Sequence, residues 1–128
     1  MKPKIYEAIL QPHSEFNPTD RTIMVVGEWT KTKVHSVNFI EEGEKLIQEP
    51  ISFHQYTLTL GKSICQAEDK FDHDFGKNLA VSRIKHGDSI GSITTNSYSM
   101  LTPDACEAIL MNKAKYIANH IEKFIKNK

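Results

Sequence analysis

Apolar and polar positions follow two different periods along this chain, β-type through the first half and helical after Asp72. Arg21–Glu28 (RTIMVVGE) is a continuous β-branched and apolar run, which predicts a strand covered on both faces. Lys4–Leu10 predicts a strand before it, although Ile5, Ile9 and Leu10 do not alternate cleanly. In Val34–Ile40, Val37 and Phe39 fall on one side and Ser36 and Asn38 on the other. The polar connection Trp29–Lys33 separates that run from Arg21–Glu28, and hairpin pairing of the two is the simplest topology. Ile51–Leu60 (ISFHQYTLTL) predicts a further strand from its aromatic and β-branched content. Gly61 permits a turn or bulge, Lys62–Gln66 continues as a short strand, and Ser89–Thr94 is the last. Gln11–Asp20 is a loop by its turn chemistry. Glu41–Pro50, acidic and closed by proline, is an exposed excursion with room for a short helix over Glu42–Gln48.

Two segments carry helical spacing. Asp72 can cap a helix over roughly 73–86, with Asp74 near its positive end and Lys85 and His86 near its negative end. Gly87 offers the left-handed residue that closes it. Phe75, Leu79 and Ile84 form its apolar face, while Gly76 and Ala80 are small and four apart. Thr102-Pro103-Asp104 starts a second helix, expected to run from Pro103 to about Ile125, some 34 Å. Leu110, Ala114, Ile117, Ile121 and Phe124 make one stripe on it, and Cys106, Ile109, Lys113, Tyr116 and His120 a mixed second one. One small sheet cannot cover both stripes, so part of this helix is expected to meet another subunit. The fold class that results is a single α+β domain over 1–128, with an antiparallel sheet of about five strands.

Composition narrows the function. Lysine plus arginine and aspartate plus glutamate number 16 each, so the surface has no net field. That argues against a duplex DNA binder acting through counterion release. No segment has the apolar length of a membrane span, and MKPKIYEAIL lacks a signal-peptide core. A cytoplasmic protein without a membrane partner is expected, with Cys65 and Cys106 as free thiols. The six histidines fall in no HxH, HExxH or His-x₃-His arrangement, and neither cysteine has a zinc spacing. No phosphate loop, nucleophile elbow or paired-carboxylate motif appears. Neither catalysis nor a cofactor is therefore expected.

Binding remains. Phe71, Lys77, Asn78 and Arg83 surround the first helix, and Lys113, Tyr116 and His120 lie on the last. Asn96 and Tyr98, in the loop between them, can close over either group. Aromatic faces stack bases while lysine and arginine neutralise phosphates, so these are the candidate ligand-binding residues. Structural roles compete at each: Gly76 and Ala80 can pack on the sheet, Arg83 can pair with Asp72 or Glu68, and Tyr116 with Ile109 can form a dimer seam rimmed by Lys113.

The pattern C-x₂-E-D-x-F-D-x₃-G-x₂-L-A-x₂-R, here Cys65, Glu68, Asp69, Phe71, Asp72, Gly76, Leu79, Ala80 and Arg83, resembles one that recurs in small bacteriophage proteins. Among those of this size and strand-then-helix layout, the chain resembles the Thoeris anti-defence sponges, oligomers that bind cyclic ADP-ribose signals or cyclic oligonucleotides without cleaving them. The resemblance implies non-catalytic capture of a nucleotide second messenger by a homo-oligomer in the bacterial host cytoplasm. The sponges' ligand-gripping arginine pair is not repeated, since Gly87 stands four positions after Arg83. The alternative reading is a protein-binding inhibitor or phage accessory factor, working through the 41–50 loop or the long helix.

Overall fold

A computed structural model describes residues 4–66, 69–96 and 102–125. Its order is β1 (Lys4–Leu10), β2 (Ile23–Glu42), β3 (Lys45–Ile64), α1 (His73–Lys85), β4 (Gly91–Thr95), α2 (Pro103–Asn119) and α3 (Ile121–Phe124). The class is α+β, as the patterning predicts, but the antiparallel sheet has four strands in the order β1-β2-β3-β4 rather than about five. The difference comes from continuity. Trp29–Lys33 is not a connection: Trp29 is buried, and the alternating Thr-Lys pairs after it extend the strand. Arg21–Glu28 and Val34–Ile40 are thus parts of one 20-residue strand and do not pair with each other. Ile51–Leu60 merges with the start of the expected Lys62–Gln66 strand into β3, with no break at Gly61, and β3 ends at Ile64, before Cys65 and Gln66.

The excursion at 41–50 is exposed but holds no helix. Glu42 pairs with Lys45 across the two-residue turn Gly43-Glu44. Gly43 takes φ +66°, the left-handed conformation a tight hairpin needs at its first central position. Counting alternate pairs back from Glu42↔Lys45, Val37↔Pro50 falls at a non-hydrogen-bonded position, so the missing N–H of Pro50 breaks no ladder bond. Among the described residues β1 reaches β2 as far as Trp29, and β4 reaches β3 as far as Tyr56. Beyond them the pairs from Thr32↔Gln55 to Glu42↔Lys45 form a two-stranded arm about 34 Å long.

At the root, the sheet is covered on both faces, which is why the consecutive residues Ile23, Met24, Val25 and Val26 are all apolar and fully buried. Ile23, Val25, Trp29, Leu58 and Leu60 face α2 and pack against Cys106, Leu110, Ala114 and Ile117. Met24 and Val26 face the other way, onto Ala80 and Ile84 of α1. A glycine marks the close approach on each side. A Cβ on Gly27 would meet Leu110 at 2.9 Å, and one on Gly61 would meet the backbone oxygen of Ala80 at 2.6 Å.

The helix ends follow local chemistry. Asp72 accepts a hydrogen bond from the Phe75 amide, and Thr102 accepts one from Ala105 ahead of Pro103. After α1 the amides of Gly87 and Asp88 return to the carbonyls of Ile84 and Arg83, with Gly87 at φ +80°, a Schellman closure. The expected 103–125 helix is interrupted at His120. The His120 ring stacks on Tyr116 at 4.2 Å and its Nδ1 lies 3.0 Å from the Tyr116 carbonyl, competing with the helix's own donors there. The short α3 then turns Phe124 edge-on to Tyr116.

The 11–22 loop has an organiser that turn chemistry alone did not reveal. Asn17 is fully buried, donating from its amide nitrogen to the carbonyls of Leu10, Gln11 and Arg21 and accepting from the Thr19 amide and hydroxyl. A buried side-chain amide survives only with such partners. Among the described residues no helix is long and apolar enough to cross a membrane.

Candidate functional site

β4 leaves the edge of β3 at Leu60, where the Ile90 amide makes the last bond. Past that point the outward carbonyl of Lys62 needs another donor. Arg83, one turn before the end of α1, supplies it from Nη1 at 2.9 Å. Sheet edge, helix and the chain between them enclose an open cleft of about 460 Å³. Ser63 and Cys65 form one wall, Phe71 and Asp72 the mouth, and Gly76, Leu79 and Arg83 the helix side. That volume is within the range of small-molecule pockets.

Gly76 shapes the cleft because a Cβ there would lie 3.1 Å from Ser63 Oγ and 3.3 Å from the Phe71 ring. Gly76 and Ala80 are both buried on the sheet, as their structural role requires, and Gly76 lines the cleft as well. Arg83 forms no ion pair with any carboxylate of the described residues, Asp72 included; Glu68 lies outside them. Lys62 stands close by. Burial and then the charge of Arg83 depress its pKa, while Asp88 acts against them. The Lys62 side chain does not line the cleft: its ammonium lies over the Phe124 ring at 5.9 Å, on the face of the sheet that α2 covers.

Cys65 is not an activated thiol. Burial and the Asp69 carboxylate push its pKa up, and its Sγ lies within 3.5 Å of the carbonyls of Gln66 and Asp69. A raised thiol pKa disfavours the nucleophilic thiolate. Both cysteines are free. Among the described residues no three metal-ligating side chains gather.

The predicted site residues separate into groups. Phe71 and Arg83 share the cleft. Lys77 points away from it to an ion pair with Glu7 of β1 at 3.3 Å, and Asn78 is exposed outside it. Lys113 and Tyr116 line a shallower hollow of about 380 Å³ with Leu60, Ile93 and Ile109, on the α2 face. Lys113 lies over the Tyr116 ring at 5.1 Å, and the His120 ring stacks on the same ring at 4.2 Å. Asn96 follows β4 and lines neither hollow. Tyr98 lies outside the described residues. Since the two hollows are on opposite faces of the sheet, the residues of α1 and α2 cannot converge on one ligand within a chain. Phe75 is a correction in the other direction: its spacing assigns it to the apolar face, yet it is 67% exposed and lines the cleft mouth.

Glu7 ties β1 to α1 through both His73 and Lys77. The hydrogen bond to Glu7 raises the His73 pKa above its ordinary 6.5, with Asp74 adding to it. Burial raises the Glu7 pKa, but the bonds from His73 and Lys77 outweigh it and the net shift is downward from 4.5. A raised histidine stabilises the fold below its unfolded value and loses that contribution as pH rises through its folded value; a lowered glutamate stabilises above its unfolded value and loses it as pH falls. The link is therefore strongest between pH 4.5 and 6.5. Above that window, thermal midpoints of the native chain should fall with pH more steeply than those of His73→Ala. Equal slopes in melts taken from about pH 6 to pH 9 would show the link to be without effect.

Geometry defines the class so far as one three-layered root, helix on sheet on helix, with an edge cleft and a projecting arm. No family model, curated protein or solved structure matches the chain.

Proposed function

We propose that the chain captures an anionic, planar ligand of the nucleotide class in the cleft between the end of β3 and α1, without converting it. The observation that carries this reading is Arg83: a guanidinium lining a cleft with an aromatic ring, and no carboxylate partner among the described residues. Phe71 and the exposed Phe75 offer ring faces to a base, and Arg83 offers positive charge to a phosphate. With the resemblance to the sponges, the reading becomes sequestration of a cyclic ADP-ribose or cyclic oligonucleotide signal by a phage anti-defence protein. Lys113, Tyr116 and His120 then belong to a separate surface.

Calorimetry with cyclic ADP-ribose isomers and cyclic di- and trinucleotides tests this, followed by chromatography of what the denatured complex releases. Intact ligand returned after heating supports capture, whereas a converted product makes the chain an enzyme. Arg83→Ala should weaken binding by roughly 10- to 100-fold, the range for losing a charge-assisted hydrogen bond. Retained circular dichroism separates that loss from unfolding, since Arg83 also bonds to the edge of β3. Unchanged affinity in Arg83→Ala places the ligand elsewhere.

The rival reading, a protein-binding inhibitor, has its own observation in the arm that carries residues 41–50 at its tip. No heat with any nucleotide would leave that reading ahead.

A further inference from the structure

A two-stranded ribbon is at best marginally stable alone in water, yet this chain extends one about 34 Å beyond the layers that cover its root. Apolar side chains sit on it uncovered: Val37 is 46%, Phe39 60% and Leu46 64% exposed. Directly paired residues share a face, so Lys33/His54, His35/Ser52, Val37/Pro50, Phe39/Gln48 and Glu41/Leu46 lie in succession on one side. The other side carries Val34/Phe53, Ser36/Ile51, Asn38/Glu49 and Ile40/Ile47, and its apolar members are less exposed. The first side is polarised along its length. Its base holds Lys33 and His54, with Lys31 next inward, and its tip holds Glu41, while Glu42 lies on the other side paired with Lys45.

We infer that this face of the arm is a self-complementary interface and that its occupant is the same face of a second copy, laid antiparallel about a two-fold axis through Val37 and Pro50. The register is dictated by the numbering of the face. With Val37 on the axis, position 33 of one arm lies over position 41 of the other, and 35 over 39. Lys33 then meets the partner's Glu41, His54 lies over the partner's Leu46, and Phe39 packs on the partner's His35. Parallel stacking would instead lay Glu41 over the partner's Leu46 and Lys33 over the partner's His54, leaving both charges without an opposite partner. The overlap, about 27 Å long and about 10 Å wide, has a footprint of roughly 270 Å² on each arm, the size of a weak, transient contact. The assembly is therefore concentration- and salt-dependent. Glutamates at the tip also exclude a nucleic-acid backbone as the occupant.

Sedimentation of the full chain from about 1 to 300 µM, at about 50 and 500 mM NaCl, should show a monomer–dimer equilibrium that weakens with salt. Lys33→Glu and Glu41→Lys should each raise the dimer Kd roughly tenfold or more, because each sets like charges together twice across the axis. The double variant should recover native affinity. Within one arm these residues are about 27 Å apart, well beyond screened electrostatic reach, so recovery can come only from another chain. Val37→Glu, which puts two carboxylates on the axis, should leave a monomer with native circular dichroism. A monomer at the highest concentration in low salt overturns the inference. So does a dimer indifferent to these changes but dispersed by Tyr116→Glu on α2, or a double variant no better than the singles. The readouts involve no nucleotide, so they stand or fall separately from the cleft.

Discussion

Leu110→Ala should cost about 3–5 kcal/mol of folding stability, the largest loss expected of any single truncation here. Leu110 is fully buried at the centre of the face that α2 covers, and its Cδ2 occupies the space that Gly27 leaves open on β2. Leu58 closes in on the same glycine, so neighbours already at van der Waals contact have little freedom to collapse into the hole. A cavity that cannot relax adds its own cost to the lost transfer energy. Urea unfolding should show the midpoint drop with an unchanged slope. A loss below about 1 kcal/mol would mean that α2 is not seated on the sheet as described.

Gly61→Ala probes the opposite face and should cost about 1–3 kcal/mol. A methyl group there would stand 2.6 Å from the carbonyl oxygen of Ala80 and 2.7 Å from Ile84 Cγ1. Ile84 can turn aside, but a helix carbonyl cannot, so α1 as a whole must lift from β3. Gly27→Ala is the comparison: it meets Leu110 Cδ2 and Leu58 Cδ1 at 2.9 Å each and Leu58 Cγ at 3.3 Å, side-chain atoms that can shift by less than a helix must lift. The ordering, Gly61 costlier than Gly27, is the test in the same unfolding series. Because Arg83 rides on α1, Gly61→Ala should also lower affinity for any nucleotide that the cleft holds, and faster amide exchange in α1 should accompany it. Exchange rates in α1 unchanged from native would contradict the lift.

The legible parts of this fold are those decided within a few residues. Asp72, Gly87 and Thr102-Pro103 set helix ends through their own hydrogen bonds and backbone preferences, and the structure places them so. The break at His120 was not legible, because it depends on a ring stacked over Tyr116 and a competing bond to a carbonyl, a choice made by geometry rather than residue type. The strand count failed for a similar reason. Thr-Lys-Thr-Lys is polar enough to read as a connection, and only the unbroken pairing with Gln55, Tyr56 and Thr57 on β3 keeps it extended.

The candidate site shows the same division. Phe71 and Arg83 could be chosen from sequence because an aromatic and a cation flank a small-residue helix face. Lys77 could not be rejected until β1 brought Glu7 against it, and the α2 residues could not be set apart until the two helices took opposite faces of the sheet. Local chemistry in this chain specifies where helices begin and end, which runs are extended and that the β2 root is buried on both sides. Tertiary structure alone decides that β2 and β3 continue past their cover into an arm, and that an uncovered edge of β3 becomes a cleft. Both depend on where β1 and β4 stop pairing, a long-range register that residues 32–55 and 62–66 do not encode in their own pattern.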